Sequence, residues 1–113
     1  MRKIEREMIA AIKAGKSTKL DNTEVRQGDG VVEVLLHGHC IAMNTVATGW
    51  RFTLAGWNTP TTRSRVSALL ETFGGPGRRG VYTKLGQAYV KRYAARVQDP
   101  QGGDTPIDNR EWF

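Results

Sequence analysis

Between residues 18 and 56 short runs of alternating apolar and polar residues are separated by turn-forming pairs, and this restricts the stretch to consecutive antiparallel strands. A run at 23–27 ends in Gly28-Asp29-Gly30, which supplies the positive φ that a tight hairpin demands. A second run at 31–36 places Val32, Val34 and Leu36 on one face, and His37-Gly38 then turns the chain into a third run at 40–43. After a loop at 44–49, Trp50, Phe52 and Leu54 line one face of a fourth strand, with Arg51 and Thr53 on the other. The expectation is a four-strand antiparallel meander.

Helical spacing flanks it on both sides. Ile4, Met8, Ala11 and Ile12 recur at i, i+4, i+7 and i+8 among charged neighbours (Arg2, Glu5, Arg6, Lys13), which predicts an amphipathic helix stopped by Gly15. A second helix follows Thr59-Pro60: threonine satisfies an orphan amide at the N-cap, and proline suits the first turn, where its missing N–H costs nothing. Val66, Leu69, Leu70 and Phe73 form its apolar stripe, and Gly74-Gly75-Pro76-Gly77 ends it. A closing hairpin is expected from 81–84 and 88–93 around Leu85-Gly86-Gln87, with Tyr89, Lys91 and Tyr93 sharing a face. The fold class that results is α+β: N-terminal helix, four-strand meander, second helix and C-terminal β-hairpin, with both helices on one face of the sheet. Residues 1–97 are expected to form a single domain, and 98–113, rich in Pro, Gly and Asp, an acidic flexible tail.

Charge is divided unevenly along this frame. Residues 58–97 hold eight Lys/Arg against Glu71 alone, a local +7; residues 1–57 hold eight bases and six acids, +2; the tail holds Arg110 against four acids, −3. A concentrated cationic block attracts polyanions or acidic protein surfaces and is silent about the fold. With 113 residues the chain suits one core, and no apolar run approaches the ~20 residues that a bilayer crossing requires, so a membrane partner is not expected. The N-terminus is charged where an export signal needs an apolar stretch, and Cys40, the lone cysteine, suits a reducing compartment.

The residues offer little to catalysis. His37-Gly38-His39-Cys40 gathers the only histidines and the only cysteine, too few for the four ligands of structural zinc, and His39 and Cys40 point to opposite faces of a strand. The glycine clusters at 28–30 and 74–77 lack the strand, spacing and lysine of phosphate-binding loops. No metal, cofactor or enzymatic activity is expected. Binding chemistry is better represented. Thr59, Thr61 and Thr62 lie at a helix N-terminus, where free amides and the positive end of the helix dipole hold anions, although capping alone explains the threonines. Arg63 and Arg65 add charge within a turn of it. Arg78 and Arg79 in the glycine-rich loop, then Tyr82, Lys84, Tyr89, Lys91 and Arg92 on the hairpin, interleave aromatic rings with cations, the pattern by which single-stranded nucleic acid is stacked and tracked. Tyrosine at alternate strand positions also follows from β-propensity alone.

The run from Val34 through Leu36-His37-Gly38-His39 to Ala42, with Gly56-Trp57-Asn58-Thr59-Pro60-Thr61-Thr62-Arg63-Ser64-Arg65 leading into a helix, resembles small accessory proteins of tailed bacteriophages. Those share a Leu-His-Gly hairpin, a Gly-Trp-x-Thr-x-Thr-Thr-x-x-Arg approach to a helix, and a closing hairpin. The similarity covers about residues 1–95; Trp57, Thr59, Thr61, Thr62 and Arg65 match the recurring turn, while the 74–79 loop and the acidic tail depart from it. It implies a phage origin and no particular activity.

Together these readings lead to the expectation of a non-enzymatic phage accessory protein in the host cell cytoplasm that binds nucleic acid, DNA or RNA, through a basic surface. The rivals are a host-takeover or anti-defence inhibitor that docks on an acidic surface of a host protein, with Trp112-Phe113 as an aromatic anchor, and a small virion or assembly component.

Overall fold

A computed structural model describes residues 1–75, 77–92 and 103–113. In chain order the elements are α1 (Lys3–Lys13), β1 (Thr18–Leu20), β2 (Thr23–Gly28), β3 (Val31–Leu36), β4 (His39–Thr45), β5 (Gly49–Phe52), α2 (Pro60–Phe73), β6 (Arg78–Lys84), β7 (Gln87–Arg92) and β8 (Thr105–Ile107). This is the expected α+β architecture. It is built on two antiparallel sheets, β1-β2-β3-β4-β5 and β6-β7-β8.

The meander follows from its turns. Asp29 and Gly30 both take left-handed backbone (φ 53° and 76°), as do His37 and Gly38 (φ 51° and 80°), the geometry that matches the twist of the flanking strands. The register then brings Val25, Val34, Ala42 and Phe52 into one row across β2 to β5. All four are fully buried, and Met8 and Ile12 of α1 and Leu69 and Leu70 of α2 belong to the same core cluster. The meander gains a short fifth strand, β1, at its edge, where the sequence has too few alternations to mark one.

α1 ends as its sequence requires: Lys16 N–H donates to Ala11 O and Gly15 N–H to Ile12 O, with Gly15 left-handed at φ 70°. α2 starts with Thr59 accepting the Thr62 amide on its side chain at 3.2 Å and Pro60 in the first turn. The helix also closes an edge that would otherwise be open. Ser67 Oγ accepts from Val81 N–H (2.9 Å) and donates to Val81 O (3.3 Å), so α2 satisfies the strand polar groups that β7 does not reach. Gly80 permits this approach, since a β-carbon there would lie 3.1 Å from Ser67 Oγ.

The expected unpacked tail is corrected over 103–113. Thr105-Pro106-Ile107 pairs with β7, Ile107 is buried, and Phe113 exchanges two backbone hydrogen bonds with Phe52, each 2.8 Å. Between them Gly56 N–H donates to Asn109 O. The segment thus straps the small sheet to the edge of the large one. β8 is an edge strand, the place in a sheet that tolerates a proline such as Pro106. The expected strand residue Tyr93 and the cation Arg96 lie outside the described residues.

Candidate nucleic-acid interface

The bases of the 58–97 block divide into two sets. α2 turns the first set inward. Arg65 falls in the helical stripe with Val66 and Leu69 and is 4% exposed, and its Nη1 bonds Glu5 Oε2 at 2.7 Å while its Nε donates to Thr23 Oγ1 at 3.0 Å. Glu5, read from sequence as part of the polar face of α1, is 1% exposed because its carboxylate also accepts from Ser64 Oγ (2.6 Å) and from Arg2 N–H (3.0 Å). Burial opposes ionisation of Glu5, but the hydrogen bonds from Ser64, Arg2 and Arg65, with the Arg65 charge, together hold its pKa below the ordinary value. Arg65 is therefore a core residue and is removed from the expected phosphate contacts. Arg63 bonds Asn58 through Nη1, to the carbonyl at 3.0 Å and to Oδ1 at 2.7 Å, and so fastens the start of α2.

The expected anion site at Thr59, Thr61 and Thr62 is also largely occupied by the helix itself. Pro60 has no amide proton, the Thr62 amide goes to Thr59 Oγ1, and the Arg63 amide goes to Thr59 O. In the first turn this leaves at most the Thr61 amide for an incoming anion.

The second set lies on the small sheet. Tyr82 pairs with Tyr89, Lys84 with Gln87, and Gly80 with Lys91, so Tyr82, Tyr89, Lys84 and Lys91 share one face; Val81, Ala88 and Val90 on the other are buried. The two tyrosine rings stack with centroids 5.3 Å apart and planes 16° from parallel, and Lys84 and Lys91 are exposed on either side. Asp104, just before β8, accepts from Tyr82 Oη at 2.5 Å and from Arg92 N–H at 3.2 Å. This contact pushes the Tyr82 pKa up to about 12, chiefly through the hydrogen bond, and holds Asp104 below the usual carboxylate range. One acid of the terminal segment thus sits within the basic face, a feature that composition could not place.

At the end of this sheet Arg78 faces Arg92 in register, and its guanidinium lies 5.6 Å from the centroid of the Phe52 ring while donating to Gly74 O at 2.9 Å. Burial lowers the Arg78 pKa, and the charges of Arg92 and Arg51 lower it further. Arg51 is the cation that sequence reasoning missed. It alternates outward from the core residues Trp50 and Phe52, so the sequence gives no sign that its charge reaches β6. Arg79 is exposed on the same strand. The ion pairs among the described residues are Lys3–Glu7, Arg26–Glu24 and Arg65–Glu5, so those of the sheet residues Arg78, Lys84, Lys91 and Arg92 lack a carboxylate ion-pair partner there.

One further residue changes role. Phe113, part of the expected aromatic anchor, packs on the core with its ring 6.3 Å from Phe52. Cys40 is half-buried, and burial raises its thiol pKa. Among the described residues no three His, Cys, Asp or Glu side chains gather as metal ligands, and no helix is long and apolar enough to cross a membrane.

No curated protein and no solved structure matches this chain. A family model does, over residues 1–113, the helices, both sheets and the terminal strap included. Since that match takes in the whole sequence, the chain belongs to the bacteriophage family described as Kyanoviridae Gp96 protein.

Proposed function

We propose that this phage protein is a non-enzymatic accessory factor of the host cytoplasm that binds single-stranded nucleic acid on the outer face of the β6–β8 sheet. The observation that carries the reading is the stacked Tyr82–Tyr89 pair between Lys84 and Lys91. Rings on a sheet accept unstacked bases of any sequence, and flanking ammonium groups follow the phosphates. Arg92 and the partly desolvated Arg78, paired on the Val90 side of the sheet, add positive charge at its end near β5, where Arg79 is also exposed. Asp104 opposes phosphate locally and orients the Tyr82 hydroxyl, which favours a shallow contact over tight binding.

Titration of a fluorescent oligonucleotide of mixed sequence tests this by anisotropy at several salt concentrations. About four phosphate contacts on a single strand give a slope of log affinity against log salt near −3, from roughly 0.7 per contact. Tyr82→Ala should weaken binding by about tenfold, in line with one lost stacking partner at roughly 1–3 kcal/mol. Binding that ignores salt and survives Tyr82→Ala rejects the proposal. A discrete acidic host protein retained from nuclease-treated lysate would transfer the same surface to the inhibitor reading.

A further inference from the structure

The turn that leads into α2 touches the small sheet on one side, through Asn58 Nδ2 to Thr83 Oγ1 at 3.2 Å, and borders a cavity on the other. This cavity has a volume of about 330 Å³, at the lower end of what small-ligand sites occupy. Its floor is apolar, made by Leu36, Ile41 and Leu54, all buried. Its mouth is formed by Trp57, 54% exposed, with the His39 ring 5.9 Å away and tilted by 43°, and by Thr61 of α2.

The backbone around it is held in an unusual form. Ala55 is left-handed at φ 54°, and so is His37 across the cavity at φ 51°, where an L-residue costs roughly 1–2 kcal/mol. The 54–57 turn stays in place because Trp57 N–H donates to Leu54 O at 2.9 Å and Gly56 N–H to Asn109 O at 2.8 Å. These bonds fix the turn from which the half-exposed indole projects at the rim of the cavity. A large ring kept exposed beside an open apolar cavity is suited to a second ring, stacked on one face and buried on the other. Because the first turn of α2 leaves at most the Thr61 amide, a bare anion finds little here. The ring itself must carry the affinity.

We propose that this cavity receives one nucleobase, stacked on Trp57, with its polar edge toward Thr61 and the imidazole of His39. The site uses none of the residues of the sheet face, but the Asn58–Thr83 contact sets it beside the end of β6 that carries Lys84. The base has two sources: a free nucleotide, or one unpaired residue of a strand lying on the sheet.

The test is a two-dimensional amide NMR titration of the full chain with deoxynucleoside monophosphates, with a short single-stranded oligonucleotide, and with ribose 5-phosphate. Mononucleotides that shift the Trp57 indole N–H and the Ala55 and Thr61 amides saturably establish the free-nucleotide source. The same shifts with the oligonucleotide alone establish the strand source. Trp57→Ala should weaken binding by about tenfold or more, while Trp57→Phe, which keeps an aromatic face, should retain most of it. Absence of cavity shifts with every nucleotide, or equal shifts with ribose 5-phosphate, overturns the inference. Shifts of Tyr89 and Lys91 report on the sheet face separately, so either reading can fail without the other.

Discussion

Removing Glu5 alone should be among the most damaging single changes in this protein. Its carboxylate is the charged partner of Arg65, whose side chain is 5% exposed, and the remaining Arg65 contacts are a threonine hydroxyl and a distant asparagine. Breaking one side of a buried ion pair strands the other charge and costs about 3–5 kcal/mol, out of a total near 5–15 kcal/mol for a domain of this size. At roughly 3–6 °C per kcal/mol, Glu5→Leu should lower Tm by about 10–30 °C. Arg65→Met should cost a comparable amount. Glu5→Leu combined with Arg65→Met removes both charges and fills the space with apolar atoms, so it should return to within about 2 kcal/mol of the parent. A double-mutant cycle by urea unfolding measures the coupling directly. Additive losses, with the double variant as damaged as both singles together, would refute the claim that each charge is buried on account of the other. The pH dependence carries the same signature. With its pKa lowered in the fold, Glu5 contributes stability that is fully present above the unfolded carboxylate value, about 4.3, and is lost as pH falls through the lower folded value. The double variant should therefore show a shallower acid unfolding limb.

Other consequences follow from single contacts. Asp104→Asn replaces the carboxylate that pushes Tyr82 up to about 12 with a neutral, weaker acceptor, so tyrosinate absorbance should begin to rise at lower pH than in the parent. It should also tighten oligonucleotide binding about fivefold, the worth of one unit charge a few ångströms from a phosphate in water, roughly 1 kcal/mol. Gly80→Ala places a methyl 3.1 Å from Ser67 Oγ and should cost about 1–3 kcal/mol by parting α2 from β6, read as a lower urea midpoint. Leu85 is 98% exposed and left-handed at φ 51°, so Leu85→Asn, better suited to that backbone, should raise stability by about 0.5–1 kcal/mol and Tm by a few degrees.

Local sequence carries the elements well where hydrogen bonds are local. The hairpin turns at Asp29-Gly30 and His37-Gly38, the glycine stop of α1 and the Thr59-Pro60 start of α2 all have short-range chemical causes, and alternation identifies β2, β3 and the strands of the closing hairpin. What escaped depends on partners distant in the chain. Thr105-Pro106-Ile107 is too short, and interrupted by a proline, to read as a strand, and becomes one because β7 offers it an edge. By its charge Arg65 reads as a surface cation, although it lies in the helical stripe with Val66 and Leu69. That position, set against Glu5 one turn before Met8 on α1, was the available signal for a buried pair. The cationic hairpin face was legible from strand alternation, whereas Asp104 beside Tyr82 and Arg51 near Arg78 required the terminal strap and the second sheet to be in place.

The most direct measurement is a map of amide shifts during titration with a single-stranded oligonucleotide at low salt. The account predicts perturbations concentrated at Tyr82, Lys84, Tyr89, Lys91 and Arg92, reversed by added salt. Perturbations confined to α1 and the outer strands β1 and β2, or none at all, would contradict it.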